Sequence, residues 1–247
     1  MILFKKAVDL RKWLDVQQKN GSGVGFVPTM GALHKGHISL IDECRKGNDF
    51  TVCSIFINPT QFNDPADLKK YPVTIEQDID LLEEAGTDVL FLPEPDEIYP
   101  NGLQEPAQYN IGYLETLLEG KFRPGHFQGV CMVVDRLLNI VEPGSLYLGQ
   151  KDYQQCMVLS RLLELTGRSG IVRLVICPTL REHDGLAMSS RNLRLAKEER
   201  EKAPAIYHSL QKIKNELRPG KTEEVKMKAI EWMKKKGFKP DYAEIAD

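Results

Sequence analysis

Two histidines three residues apart, His34 and His37, stand in the run PTMGALHKGH at positions 28–37. Residues three apart share a face in the first turn of a helix, so both imidazoles can point at one ligand. Gly31 and Gly36 let the backbone come close to that ligand, and a helix start offers it unpaired N–H groups. Imidazole N–H groups so placed can donate to phosphate oxygens as charge builds in a transition state. The competing readings are a pair of surface histidines, or half of a metal site. The second wants further His, Cys or carboxylate ligands at a matching spacing, and none is evident.

Other segments carry complementary groups. Ser189, Ser190 and Arg191 lie in TLREHDGLAMSSRN (179–192), and two hydroxyls with a guanidinium can clamp pyrophosphate oxygens. A serine there equally suits a helix N-cap. In GQKDYQQ (149–155), Lys151 can neutralise phosphate, while Asp152 can accept from ribose hydroxyls or cap a helix. Asn58 and Gln61 supply amides, which hold a neutral polar substrate without titrating. Arg123 and His126 add a cation and an imidazole in a glycine turn. Asp78, downstream of Tyr71-Pro72, is a candidate ligand for Mg²⁺, although a solvated helix carboxylate is the commoner role. Histidines after an early strand and a Ser/Lys/Arg loop after the last one form the arrangement of enzymes that attack the α-phosphate of ATP and release pyrophosphate.

The elements that must position these groups follow from periodicity. A first amphipathic helix (about 6–20) precedes a buried strand at 24–28, which runs through the histidine motif into a helix around 37–46. Residues 50–57 (FTVCSIFI) are apolar almost throughout, as suits a strand covered on both faces. A helix at 74–86, with Thr74 and Gln77 as a capping box and Gly86 as its stop, leads to a strand at 88–92. After a Pro/Gly-rich surface stretch come a helix near 128–141, a strand at 146–149, a helix from Asp152 and a strand at 171–177. Repeated β-α alternation predicts a parallel sheet with helices on both faces. Ligands of such sheets sit outside the C-terminal ends of the strands, beside the polar segments above. From residue 179 charged helices (197–217, 222–236) and one short strand (242–246) predict a small α+β domain. A lone strand cannot satisfy its own edges, so we expect further residues after Asp247 in the complete protein.

Bulk properties limit the partners. The chain has 247 residues, 42% hydrophobic and 28% charged, with a formal charge of −2. That balance offers no field for nucleic acid or an anionic membrane. No window approaches the ~18 apolar residues of a membrane span, and no signal-peptide core opens the chain. The five cysteines are scattered without a C-x-x-C pair, so we expect reduced core thiols and a cytoplasmic protein.

The motifs PTMGALHKGH, FINPTQF, Tyr71-Pro72, EIYPNG, LEGKFRPGHFQGV, GQKDYQQ and DGLAMSSRN, in this order, resemble those of the pantothenate synthetase family. The resemblance implies a Rossmann-like, nucleotidyltransferase-type ATP- and pantoate-binding domain (1–178), a smaller C-terminal lid domain (179–247), incomplete here, and a homodimer. It implies a two-step reaction with Mg²⁺ and ATP: pantoate forms pantoyl adenylate, and β-alanine then displaces AMP. By the same resemblance His34 and His37 steady the phosphates beside the Met30 backbone, and Lys151 binds phosphate. Asp152 and the Gly149 backbone hold the ribose, and Leu180 and Met188 lie near the adenine. Ser189, Ser190 and Arg191 engage the β- and γ-phosphates, Gln61 and Gln155 grip pantoate, Asp78 is the magnesium candidate, and Asn58 and Tyr71 face the incoming amine. Gln150 departs from the glutamate usual in the segment GEKD. The alternatives are an adenylyltransferase acting on a phosphorylated acceptor, which would want more cations near Gln61 and Gln155, and a nucleotide-binding module without catalysis.

Overall fold

The computed structural model describes residues 1–102 and 108–246. Residues 103–107, within the expected Pro/Gly-rich stretch, and Asp247, where the expected lid domain ends, lie outside the described residues. The chain gathers into two compact units, Met1–Thr179 and Leu180–Asp247.

The first unit runs β1 (Ile2–Phe4), α1 (Ala7–Lys19), β2 (Val24–Thr29), α2 (Lys35–Gly47), β3 (Phe50–Ile55), short α3 (Pro65–Lys69), α4 (Ile75–Glu84) and β4 (Val89–Phe91). It continues through short α5 (Pro95–Ile98) and α6 (Leu118–Phe122) to α7 (His126–Val141), β5 (Ser145–Gly149), α8 (Tyr153–Leu165) and β6 (Arg173–Cys177). The six strands form one sheet in the order β1-β4-β3-β2-β5-β6, and every pair is parallel. Alternate residues enter two different cores, as a pleat requires. Phe26, Val52, Val89, Phe91 and Leu146 face α1, α7 and α8. Val27, Cys53, Leu90 and Tyr147 face α2 and α4. The expected doubly covered α/β sheet is the observed one.

The strand order places the site. From β2 the chain builds outward through β3 to β4, then returns to the other side of β2 for β5. Between β2 and β5 the connections therefore diverge, and ligands of open parallel sheets bind at such a switch point. The histidine motif leaves β2 there, and Gly149-Gln150-Lys151 leaves β5.

Four local expectations are corrected. β1 went unseen, because three half-exposed residues are too few to show a period; it pairs in register with β4, Ile2 opposite Val89. Thr74 precedes α4 without a capping bond; its hydroxyl instead reaches Asp78 Oδ1 at 3.1 Å. The glycine stop does form, with the Gly86 and Thr87 N–H groups bonding back to Glu83 and Leu82. In the second unit the helix expected over 197–217 is split into α9 (Lys197–Lys202) and α10 (Ala205–Glu216). Pro204 stands at the break, lacking the N–H that would continue the ladder. Residues 242–246 form no strand: with no neighbouring strand among the described residues, Ala243 and Ile245 pack on the core of α10 and α11 (Thr222–Lys235). No described helix is long and apolar enough to cross a membrane.

Candidate active site

β2 ends at Thr29, and the backbone turns through two successive left-handed residues, Gly31 (φ +80°) and Ala32 (φ +48°). A Cβ on Gly31 would come within 3.0 Å of Asp78 and 3.1 Å of Ile55, so the tight turn needs glycine. His34 then caps α2. Its Nδ1 accepts from Gly36 N–H at 3.1 Å, and its own N–H donates to His37 Nδ1 at 3.3 Å. The rings stack with centroids 4.0 Å apart. With both Nδ1 atoms accepting, each neutral ring carries its proton on Nε2, as a donor. The His34 pKa is depressed to about 4, by burial and then by the Lys151 charge. That of His37 falls to about 3, by burial, then His34, then Lys151. Both imidazoles are thus neutral donors at pH 7, and the Lys151 ammonium acts on both across the switch point.

Lys151 is exposed and paired with its neighbour Asp152 at 3.0 Å. Asp152 stands at the start of α8 without making a capping bond, so capping does not account for it. Gln155 is half-buried one turn into α8, and the Gly149 backbone ends β5.

The amides form a second cluster. Gln61 Nε2 lies 3.2 Å from Met30 Sδ, which joins the Asn58–Phe62 turn to the histidine loop. Asn58 is only 1% exposed. Its Oδ1 accepts from Tyr99 Oη at 2.6 Å and Thr60 Oγ1 at 3.0 Å, and its Nδ2 donates to Gln61 Oε1 and the Gly129 carbonyl, both at 3.1 Å. All four positions of this amide are filled. Through these bonds Asn58 orients Gln61. Tyr71 is buried, edge-on to Phe62 with centroids 5.7 Å apart. His126 is 6% exposed, with Nδ1 2.7 Å from the Gln61 carbonyl and Nε2 3.2 Å from Arg123 Nη1. Those partners put its proton on Nδ1, so it steadies the Gln61 backbone. Burial foremost lowers its pKa.

Asp78 is 1% exposed. Its Oδ2 accepts from Ala32 N–H at 2.9 Å and its Oδ1 from Leu33 N–H at 2.7 Å, besides the Thr74 hydroxyl. Among the described residues no group of three or more His, Cys, Asp or Glu could hold a metal ion. A buried carboxylate committed to backbone N–H groups does not fit a magnesium ligand.

In the second unit the loop 180–188 is a small hairpin. Arg181 bridges Ala187, and the Met188 N–H donates to the Leu180 carbonyl at 3.0 Å, bringing the two residues expected near adenine together. The Arg181 guanidinium lies 4.3 Å over the Tyr207 ring, and Asp184 pairs with Arg200 at 2.6 Å. Ser189 does cap the following 3₁₀ turn, its Oγ accepting from Arg191 N–H at 3.3 Å. Ser190 is buried and Arg191 exposed.

A family model described as pantoate-beta-alanine ligase matches residues 2–247. The chain belongs to the pantoate–β-alanine ligase family. It is 46% identical over 227 residues to the pantothenate synthetase of Aquifex aeolicus (strain VF5), spanning 92% of this chain and 79% of that protein. It is similar to the crystal structure of the Thermus thermophilus pantothenate synthetase, with a TM-score of 0.86 and 42% identity over 95% of this chain and 83% of that one. The Francisella tularensis pantoate-beta-alanine ligase, solved with beta-gamma ATP and beta-alanine, aligns with a TM-score of 0.83 and 40% identity, over 94% and 86% of the two chains.

Two residues of this ligase-family chain were not singled out from sequence. Tyr99 fixes Asn58, and Gly129 admits the Thr60–Gln61 backbone so closely that a Cβ would lie 2.3 Å from the Thr60 carbonyl oxygen. Tyr99 and Gly129 lie inside the quoted motifs EIYPNG and GHFQGV, which was the signal available.

Proposed function

We propose that this chain joins pantoate to β-alanine with ATP, through pantoyl adenylate, and that the switch-point loops hold the reacting phosphates. A pantoate carboxylate oxygen attacks the α-phosphorus, the bond to the β-phosphate breaks and pyrophosphate leaves. The β-alanine nitrogen then attacks the acyl carbon, the C–O bond to AMP breaks, and the amine gives up a proton. A carboxylate is a weak nucleophile toward a polyanion, so the enzyme's task is alignment and neutralisation of charge.

The observation that carries this reading is the pair of neutral imidazoles whose Nδ1 atoms are engaged locally, beside the Lys151 charge. Their Nε2–H groups donate to phosphate oxygens at the start of α2, where the helix end itself favours an anion. In this reading Met30 backbone and Lys151 bind phosphate; Gly149 and Asp152 hold the ribose; and Leu180 and Met188 flank the adenine. Ser189, Ser190 and Arg191 take the β- and γ-phosphates, while Gln61 and Gln155 grip pantoate, with Tyr71 beside them. Residues 1–178 serve as the ATP- and pantoate-binding domain. Magnesium arrives as the companion of ATP, not in a protein cage. The protein works as a homodimer, as the family resemblance implies, and in the cytoplasm, a reducing compartment that suits its five free thiols.

The test is pyrophosphate release from MgATP, first with pantoate alone and then with β-alanine added. A single-turnover burst that becomes steady AMP formation on adding β-alanine is expected. Release that ignores pantoate would refute the reading.

A further inference from the structure

We propose that Asp78 is a positioning residue: a buried carboxylate on α4 that clamps the left-handed backbone at Gly31–Leu33 and thereby aims His34 and His37. The clamp consists of hydrogen bonds within the fold; its effect on catalysis rests on the function proposed above.

Three successive N–H groups leave the end of β2, and side chains meet all of them. Gly31 N–H donates to Thr29 Oγ1 at 3.2 Å, Ala32 N–H to Asp78 Oδ2 at 2.9 Å and Leu33 N–H to Asp78 Oδ1 at 2.7 Å. Neighbouring backbone N–H groups in a tight turn can converge on one concavity that binds an anion. Here the chain supplies the anion itself, from 45 residues away in sequence. Ala32, unlike a glycine, carries a Cβ that disfavours φ +48°. Such a conformation persists only where its surroundings over-determine it, and the two charge-assisted bonds to Asp78 do so. The next residue along the chain is His34, whose N–H and ring set both imidazoles. Releasing the carboxylate therefore frees the backbone immediately before the two donors.

The shape of the contact makes the substitution informative. Each carboxylate oxygen takes one backbone N–H, so Asp78→Asn keeps the volume but offers an acceptor at only one of the two positions. The other N–H then faces an amide NH₂. Replacing Ala32 by glycine in that background should lower the cost of the left-handed turn and restore part of what was lost.

The experiment measures pantoate-dependent pyrophosphate release, its magnesium dependence, and imidazole ¹H–¹⁵N spectra of the protein without nucleotide or metal. In the wild type both rings are expected as single Nε2–H tautomers. Asp78→Asn is expected to mix the tautomers, to slow the burst about a hundredfold, as a displacement of order 1 Å does, and to leave the magnesium requirement unchanged. Adding Ala32→Gly should recover about tenfold of that loss, on the scale of the left-handed penalty it relieves. A shifted magnesium requirement with intact tautomers would make Asp78 a metal ligand and overturn the proposal, as would unchanged spectra or no recovery with Ala32→Gly. Should Asp78→Asn fail to fold, Thr74→Val removes only the hydroxyl donor to Oδ1; about a tenfold slowing with mixed tautomers supports the clamp, and no change in either refutes it. A wild-type protein with ordered tautomers and no pantoate-dependent release would refute the ligase reading while leaving the clamp standing.

Discussion

An imidazole that must donate to phosphate without bringing a charge of its own needs its other nitrogen occupied. His34 and His37 meet that need with the backbone N–H groups of Gly36 and His34 respectively. We expect His37→Ala to slow pantoate-dependent adenylation by about 2.7–4 kcal/mol of activation free energy, the scale of one preorganised donor; single-turnover pyrophosphate release measures it. The same burial has a pH consequence. A folded-state pKa of about 4 for His34 and about 3 for His37, against ~6.5 unfolded, means that the unfolded chain binds more protons between those values. Their contribution to stability is therefore complete above pH ~6.5 and is lost as pH falls through about 4 and about 3. Denaturant titrations at pH 7 and pH 5 should show a smaller difference in His37→Gln than in the wild type. At this scale the histidines, Lys151 and Gln61 stand out as candidates in the sequence, because their types and spacing imply chemistry wherever the strand ends. For Asp78 and Asn58 burial bears on the choice between a ligand and an anchor, and the sequence does not display it. No local signal announces that an aspartate on one helix will meet the N–H groups of residues 32 and 33.

The helix α7 shows what an element contributes to a site it does not itself line. Eleven of its residues are buried, and its first turn presents His126 and Gly129 to the turn that carries Gln61. Gly129→Ala would place a methyl group against the Thr60 carbonyl and the Gln61 nitrogen, which are backbone and cannot swing aside. The expected outcome is a loss of about 1–3 kcal/mol, the range for overpacking, together with a raised KM for pantoate; thermal unfolding and initial rates read the two. Leu138, fully buried at the other end of α7, is far from that turn in sequence. Leu138→Ala should cost ~2–5 kcal/mol and leave the KM for pantoate unchanged, so the pair separates packing from positioning. Long elements with a clear period were readable: α1, α2, α7 and the doubly buried β3 all follow their apolar spacing. β1 was too short to carry a period, and the division between α9 and α10 lay in one proline inside an otherwise helical pattern. The strand expected at 242–246 failed because alternation alone does not supply a neighbour.

Across the whole molecule, burial also decides what the thiols can do. All five cysteines are free and buried, and burial pushes Cys44 and Cys156 up to about 11 and Cys131 up to about 12, with Cys53 and Cys177 raised as well. The thiolate is the reactive form, so an aromatic disulfide reagent should titrate fewer than one thiol per native chain and all five after unfolding in guanidinium. Rapid reaction of two or more in native protein would contradict this arrangement. The doubly wound sheet was legible from β-α alternation and from which strands were apolar throughout, whereas the order of strands was not, since pairing partners lie far apart along the chain. That order has a consequence for the protein as it is made. β2, β3 and β4 can pair as they emerge, but Gly25 must wait for Ser145 before its second edge is covered. At ~5–20 residues per second, the interval between the two is roughly 6–24 seconds. Until then the unpaired backbone edge of a largely apolar strand stands open to other strands and to chaperones on the nascent chain. The gap beside β2, where the connections diverge, stays open until β5 arrives, and only the edge strand β6 is added after it.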